Sequence, residues 1–234
     1  MGKVYLIGAG PGAIDLITVR GARLLAEAEV VLYDALVAAE MLTLCPQALC
    51  ISVGKRSGQR STAQQQINQL ILEYAARHST VVRLKGGDPM MFGRADEEIR
   101  ALEQAGIEYA IVPGITTALA AAASTRQPLT QRGIARSVAF FTSSTAPGEA
   151  EEGRIPNTDT FIQYMGGREA VLTAQRMLAA GYAPDLPVIA IENCSRADER
   201  IMRLNLQQLV AGLPECQGPV LVMMGEAMRE RSKL

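Results

Sequence analysis

The sequence predicts an α/β fold of two domains, with a largely parallel sheet in the N-terminal half and a mixed sheet in the C-terminal half. Short runs rich in Val, Ile and Tyr alternate with longer helical patterns, which is typical of α/β units around a parallel sheet. The second half has as many strand patterns with fewer helices between them, which favours antiparallel neighbours. A length of 234 residues with 48% hydrophobic side chains suffices for two modest domains.

The first half reads as repeated strand and helix units. We expect the domain boundary near residues 114–118, which gives domains of residues 1–114 and 115–234. A Ser61 or Thr62 cap is expected to open the third helix. In chain order, the strands and helices are predicted at Val4–Gly8, Leu16–Ala28, Val30–Asp34, Ala38–Leu44, Cys50–Val53, Thr62–Arg77, Val81–Lys85, Ala95–Ala105 and Tyr109–Val112.

The second half opens with a small-residue helix, Thr116–Ala123. The polar segment Ser144–Asp159 has no apolar period, and its glycines and prolines predict a mobile loop. Met165 ends a predicted strand at a glycine corner, where a methionine is more often core than ligand site. The remaining strands and helices are predicted at Ser137–Thr142, Thr160–Met165, Arg168–Ala180, Val188–Glu192, Arg200–Leu204, Leu206–Ala211 and Val220–Met224.

Composition excludes several classes of function. A formal net charge of -1 supplies no global field for nucleic acid or an anionic membrane. His78 is the single histidine, which excludes a multi-histidine metal site and a histidine-based triad. The four cysteines lack metal-ligand spacing, so we expect no metal, and thiols in a reducing compartment. Without a secretory signal or an apolar run of about 20 residues, a cytoplasmic protein is expected.

The glycine loop after the first strand is ambiguous. Gly8, Gly10 and Ala13 satisfy the dinucleotide fingerprint, and Asp34 stands where a ribose-binding acid would. This pattern predicts an NAD(P)-binding Rossmann oxidoreductase, although it also fits a structural strand-to-helix turn. Pro11 has no N–H to donate to a diphosphate. The loop therefore suits backbone contact with an uncharged or cationic ligand better.

Two further loops follow predicted strands. Lys55, Arg56 and Arg60 lie among glycines, where cations can bind a carboxylate or phosphate or form a solvated basic turn. The segment Arg83–Pro89 contains paired glycines that let the backbone reach a ligand at the carboxyl edge of a sheet. The acids at 96–98 then suit the N-terminal dipole of a helix, with or without another role.

Together these elements resemble the tetrapyrrole methylase family. The stretch Arg83–Arg94, RLKGGDPMMFGR, is similar to the members that methylate uroporphyrinogen III. The likeness covers nearly the whole chain and includes Gly8–Gly12, Val31–Asp34, Gly54–Arg56, Gln65–Asn68, Val112–Thr116, Pro128–Thr130, Tyr164–Gly166 and Glu192–Asn193.

The resemblance implies two α/β domains, an active site in the cleft between them and a homodimer. It also implies methyl transfer from S-adenosylmethionine to carbons 2 and 7 of uroporphyrinogen III, giving precorrin-2 for siroheme and cobalamin biosynthesis and leaving S-adenosylhomocysteine. A methyltransferase of a later precorrin or cobalt-precorrin is the nearest alternative. A non-catalytic tetrapyrrole carrier and the nicotinamide oxidoreductase are alternatives of other classes.

Site residues carry over from the family by position. Asp34 and Lys55 match positions proposed for proton handling, and Arg94 with Glu97 match a pair proposed to engage the substrate. The substrate's carboxylates would meet Lys55, Arg94 and three further cations, Arg56, Arg60 and Arg132. The implied cofactor pocket comprises Pro11, Gly86, Gly87, Asp88, Met91, Thr116, Thr117, Met165 and Cys194.

Four positions depart from the family pattern. Ala13 stands where many relatives have Asp, and Gln131 stands where His is usual. Ser143-Ser144 replaces a common Gly-His, and Cys194 replaces a common Gly. These departures leave the roles of those side chains open, whereas Asp34, Lys55, Arg94 and Met165 match.

Overall fold

The computed structural model describes residues 2–54, 64–143 and 154–230. The chain divides into two compact units, Met1–Thr117 and Ala118–Leu234. Within the described residues, each unit contains one five-stranded sheet. All of the predicted strands are observed there, with ends within one residue of the predicted ends. The predicted fold class is confirmed.

The first unit is built from β1 (Lys3–Gly8), α1 (Val19–Ala26), β2 (Val30–Tyr33), β3 (Leu49–Ser52), α2 (Gln64–Arg77), β4 (Thr80–Lys85), α3 (Ala95–Gln104) and β5 (Tyr109–Val112). Its sheet has the order β3-β2-β4-β1-β5, and every pairing is parallel. One face packs on α2 and α3 through Leu6, Ile71 and Leu102. The other packs on α1 through Ile7 and Leu25. Because both faces are covered, the strands read as continuous apolar runs.

The second unit contains α4 (Thr117–Thr125, which begins at the unit boundary), β6 (Val138–Thr142), β7 (Thr160–Tyr164), α5 (Gly166–Ala179), β8 (Pro187–Glu192), β9 (Arg200–Asn205), α6 (Leu206–Val210) and β10 (Val220–Met224). Its sheet has the order β6-β7-β10-β8-β9. The pairing of β6 with β7 is parallel, and the other pairings are antiparallel. The core joins Phe161 and Val222 of the sheet to Ala174 and Met177 of α5. The predicted mixed sheet is confirmed.

Two helix predictions differ from the structure by more than two residues at one end or in the type of helix. The first α-helix begins at Val19 rather than Leu16, because the Thr18 side chain accepts a hydrogen bond from the Gly21 N–H at 3.1 Å and caps the helix there. The predicted helix at Ala38–Leu44 is a 3₁₀ helix with no side-chain cap. The expected cap at Ser61 or Thr62 and most of the expected mobile loop lie outside the described residues.

Candidate functional site

The carboxyl ends of the parallel strands place most of the predicted site residues of the first unit on one edge. The strands β1 and β4 are neighbours, and the helices that follow them, α1 and α3, pack on opposite faces of the sheet, which is the arrangement that creates ligand sites in open α/β sheets. Gly10 and Gly87 pair across these loops: the Gly10 N–H donates to the Gly87 carbonyl at 3.1 Å, and the Gly87 N–H donates to the Gly10 carbonyl at 2.7 Å. The two predicted glycine loops therefore form one structure.

Three glycines bring the backbones after β1, β4 and β5 into contact. A Cβ on Gly8 would lie 2.6 Å from the Gly114 Cα, and one on Gly114 would lie 2.2 Å from the Gly87 carbonyl oxygen. Asp88 fixes this contact, because its Oδ2 accepts a hydrogen bond from the Gly114 N–H at 2.9 Å. A side chain at either Gly8 or Gly114 would force the backbone apart.

Gly87 has room beside it within the described part of the chain. It has a φ of 66°, and a Cβ there would meet one described atom within 4 Å, the Thr116 Cα at 3.9 Å. Pro11 and Gly86 adjoin the paired glycines in sequence, and the Met91 N–H donates to the Asp88 carbonyl at 3.2 Å. This glycine edge, residues 8–11, 86–88 and 114–116, leaves room for a ligand group to lie against the backbone, which fits a cofactor held by close contact rather than by charge.

A buried ion network lies beneath the glycine edge. Alternation along β4 places Arg83 and Lys85 on the face of the sheet that α3 covers. Arg83 binds Asp34 at 2.5 Å and Glu98 at 2.8 Å, and Lys85 binds Glu98 at 2.9 Å. Arg83, Lys85 and Glu98 are buried, whereas 28% of the Asp34 side chain is exposed. Asp34 is therefore held by Arg83 and still reachable.

The network has consequences for the pKa of each cation. Burial alone would lower the pKa of the Arg83 guanidinium, but the carboxylates of Asp34 and Glu98 outweigh it and raise that pKa. Burial, assisted by the charge of Arg83, lowers the pKa of the Lys85 ammonium despite the opposing effect of Glu98. The Arg83 guanidinium therefore holds its proton more firmly than usual, whereas the Lys85 ammonium holds its proton less firmly.

The role of Glu98 differs from the sequence-based interpretation. Its carboxylate is an ion-pair partner in the core rather than a surface charge on the helix dipole. The sequence held a signal, since Ala95, Glu98 and Leu102 recur at helical spacing on the buried face of α3. Pairing Glu98 with Arg83 required the tertiary structure.

The predicted substrate pair lies at the start of α3. Arg94 has a φ of 55°, and its guanidinium donates to both carboxylate oxygens of Glu97, at 2.7 and 2.9 Å. Both side chains are well exposed, by 60% and 45%. Lys55, Arg56 and Arg60, which are predicted to meet the carboxylates of the same substrate, fall outside the described residues.

The second unit places Met165 and Cys194 at the edge where β6, β7 and β8 end. Met165 follows β7 with a φ of 56° and is 50% exposed, so the core interpretation of this methionine is wrong. Cys194 follows β8 between Asn193 and Ser195, which also have positive φ values of 52° and 62°. Cys194 is buried, and burial, with a smaller effect of Glu199, raises the pKa of its thiol to about 12.

Sequence reasoning missed a carboxylate at this same edge. The Oε1 atom of Glu192 accepts hydrogen bonds from the Gln217 and Gly218 N–H groups at 2.5 and 2.7 Å, and its Oε2 pairs with Arg200 at 2.7 Å. The bond from Gly218, followed by those from Gln217 and Arg200, lowers the pKa of Glu192 despite burial. Glu192 therefore ties the end of β8 to the chain entering β10.

Neutral polar groups also lie at this edge. Gln163 donates to the Ser143 hydroxyl at 3.2 Å, and the Ser143 hydroxyl lies 3.1 Å from that of Thr173. Ser143 thus supports the end of β6 from within the unit. Arg132 is exposed in the turn that joins Gln131 to Ala135.

Neither a metal-binding group nor a membrane-spanning helix is found among the described residues. Over residues 2–54, 64–143 and 154–230, no three His, Cys, Asp or Glu side chains are grouped as a metal ion would require. In the same part of the chain, no helix has the length and hydropathy to cross a membrane.

Comparisons with known proteins agree with this arrangement. A family model described as Tetrapyrrole (Corrin/Porphyrin) Methylases matches residues 3–210. A uroporphyrinogen-III C-methyltransferase of Pseudomonas aeruginosa is 42% identical over 233 residues, which cover 98% of this chain and 95% of that protein. A siroheme synthase of Psychrobacter sp. is 41% identical over 100% of this chain, which spans 49% of that protein. The chain is thus about half the length of the siroheme synthases it matches.

Solved structures match over nearly the whole chain. The uroporphyrin-III C-methyltransferase of Thermus thermophilus, complexed with S-adenosylhomocysteine, has a TM-score of 0.84 and 38% identity, and the match covers 97% of this chain and 94% of that chain. A cobalt precorrin-4 methyltransferase has a TM-score of 0.82 and 27% identity, with 97% and 96% covered. The fold serves tetrapyrrole methyltransferases of more than one specificity.

Proposed function

The chain belongs to the tetrapyrrole methylase family, and from that premise we propose that it methylates uroporphyrinogen III at carbons 2 and 7, with S-adenosylmethionine as donor, to give precorrin-2. The observation that carries the proposal is the glycine edge, where Gly10 pairs with Gly87 and a Cβ built on Gly87 would come no closer than 3.9 Å to a described neighbour, the Thr116 Cα. In addition, this chain is 38% identical to a methyltransferase that was crystallised with S-adenosylhomocysteine.

The cofactor site is assigned to the carboxyl edges of both sheets. A bound S-adenosylmethionine would supply an electrophilic methyl group on a sulfonium. The glycine edge offers close backbone contact, and the Asp88 carboxylate at this edge is a negative charge that suits a cationic donor. The proposed cofactor residues are Pro11, Gly86, Gly87, Asp88, Met91, Thr116, Thr117, Met165 and Cys194.

The substrate side is assigned to charged groups around the same edge. Uroporphyrinogen III carries many carboxylates, which favours Arg94 with its bidentate geometry, together with Lys55, Arg56, Arg60 and Arg132. Local cations are needed because the whole chain has a net charge of -1.

Proton handling is assigned to Asp34 and Lys55. Each methylation of a ring carbon must be balanced by the loss of a proton from the macrocycle. Asp34 is held by Arg83 at 2.5 Å and keeps part of its surface in solvent, so it is positioned to accept that proton. Because the acceptor carbon is a weak nucleophile, most of the acceleration should come from orientation of the two reactants.

The geometry disfavours a nicotinamide oxidoreductase. In a dinucleotide-binding sheet β1 neighbours β2, whereas here β1 lies between β4 and β5. The N–H of Gly10 is already bonded to Gly87, and α1 begins only at Val19. The loop therefore cannot present a helix N-terminus to a pyrophosphate in the usual way.

A methyltransferase of a later precorrin is the second candidate. It is favoured by the match to a cobalt precorrin-4 methyltransferase, but that match has 27% identity against 42% for the uroporphyrinogen-III enzyme. The two candidates share a cofactor and differ in the ring that gains methyl groups.

Anaerobic incubation with S-adenosylmethionine and uroporphyrinogen III, followed by mass spectrometry, tests the proposal. We expect a product with two added methyl groups. Unchanged uroporphyrinogen III from folded, cofactor-binding protein would contradict it, and methylation of a later precorrin instead would favour the second candidate. Binding of the porphyrinogen without any reaction would indicate a carrier.

We also propose a homodimer in the cytoplasm, feeding siroheme or cobalamin synthesis. Support comes from the family resemblance. Sedimentation equilibrium of the purified chain measures the assembly: a mass of two chains is expected, and a monomer at micromolar concentration would contradict it.

A further inference from the structure

Two cysteines of the first unit are in contact. The Sγ atoms of Cys45 and Cys50 lie 3.8 Å apart, and both residues are free thiols. A disulfide has an S–S length of about 2.05 Å, so the two sulfur atoms would need to approach by less than about 2 Å. The spacing of five residues gave no hint of this contact, since it matches no recognised cysteine motif.

The two thiols differ in exposure. Cys45 ends a 3₁₀ helix, packs in the core with Val31 and Met41, and donates to the Leu42 carbonyl at 3.3 Å. Cys50 is exposed at the start of β3, which is an edge strand of the sheet. An external reagent can therefore reach Cys50, while Cys45 can react only with its neighbour.

The pKa of the Cys45 thiol also indicates that Cys50 reacts first. Burial, and to a smaller extent the adjacent Cys50, raises the pKa of the Cys45 thiol to about 12. A thiol in that state is not an initiating nucleophile. The Cys45 thiol can react once the adjacent Cys50 sulfur is part of a mixed disulfide.

We propose that Cys45 and Cys50 form a reversible redox site, with Cys50 as the attacking thiol and Cys45 as the resolving thiol, and that its reaction partner is a low-molecular-weight disulfide. The Cys50 thiolate attacks one sulfur of RSSR, which forms a mixed disulfide and releases RS⁻. The Cys45 thiol then passes its proton to RS⁻ and attacks the Cys50 sulfur, which closes the Cys45–Cys50 bond and expels the second RS⁻. The protein loses two electrons and the external disulfide gains them.

The position of the pair gives the bond a defined structural effect. The Cys45–Cys50 disulfide would link the end of the core-packed 3₁₀ helix Ala39–Leu44 to the start of β3. The pair lies at the amino end of β3, away from Gly54 and the carboxyl edge, so the site stands independently of the proposed methyl transfer.

Equilibration of the full chain in glutathione buffers tests the proposal. The expected product, after acid quenching and peptide mapping, is a Cys45–Cys50 disulfide that dithiothreitol reverses. At a fixed ratio of thiol to disulfide, its fraction should fall as total glutathione rises, because closing the internal bond releases two glutathione thiols. A stable mixed disulfide would show no such dependence.

Three variants complete the test. Cys45→Ser, which can keep the hydrogen bond to Leu42, should trap glutathione on Cys50, and Cys50→Ser should leave Cys45 unmodified. Cys216→Ser, a partly exposed cysteine in the second unit, is the matched control and should form the disulfide like the wild type. The proposal is overturned if wild-type Cys50 retains glutathione while Cys45 stays reduced, or if both thiols stay unmodified.

Discussion

The two units build the carboxyl edges of their sheets by opposite means. In the first unit, Gly8, Gly87 and Gly114 remove side chains so that backbones touch, and charged groups are buried beneath. In the second unit, Met165 and Asn193 hold positive φ values as non-glycine residues, and the buried groups beneath include neutral amide and hydroxyl side chains. The comparison teaches that the first edge presents backbone to a ligand beside a strained side chain at Arg94, whereas the second presents strained side chains at the strand ends themselves.

The buried charges of the first edge should have the largest effect on stability. Glu98→Gln removes the partner of Lys85 and one partner of Arg83, and breaking such a buried pair costs about 3–5 kcal/mol. Urea unfolding measures the loss. Glu97→Gln, one position earlier and exposed, is the control and should change the free energy of unfolding by at most about 1 kcal/mol. If both variants lowered the free energy of unfolding equally, the buried network would contribute no more to stability than the surface pair.

The next prediction concerns the open face of Gly87. Gly87 and Gly106 share a φ of 66°, so Gly87→Ala and Gly106→Ala should each cost about 1–2 kcal/mol in backbone strain. Only the Gly87 methyl group would intrude on a cofactor. We expect Gly87→Ala to weaken S-adenosylhomocysteine binding at least tenfold, which is about 1.4 kcal/mol, by titration calorimetry. Unaltered affinity would place the cofactor elsewhere.

Strain at the second edge predicts a separation of stability from activity. Met165→Gly relieves a left-handed backbone at the cost of chain entropy, so the free energy of unfolding should stay level or rise by up to about 1 kcal/mol, while turnover falls. Arg126→Gly, at φ 55° and outside the proposed site, should match the stability change and keep full turnover. Loss of turnover in both variants would indicate a general structural effect.

The smallest expected effect is the pH dependence of Glu192. Its pKa is lowered in the folded state, so its stabilisation is present above the ordinary value near 4.5 and is lost as pH falls through the folded pKa. Glu192→Gln should therefore be less stable than wild type at pH 7, with the difference shrinking below about pH 4.5. Thermal melts across that range measure it, with the exposed Glu40→Gln as control. A constant difference would contradict this account.

Most of the fold was predictable because it depends on local patterns. Apolar runs located the strands, and the glycine loops at Gly8–Gly10 and Gly86–Gly87 marked the edge where ligands bind. Side-chain pairings were not predictable, since no recognised sequence motif joins Glu98 to Arg83 or Cys45 to Cys50. The helix start at Val19 was missed because the prediction followed the pattern of apolar residues, which begins at Leu16, and overlooked Thr18 as the cap.

A crystal structure of the protein with S-adenosylhomocysteine tests the central claim most directly. We expect ligand density against the backbone of Gly86–Asp88. Density bound elsewhere, with the glycine edge left open, would contradict it.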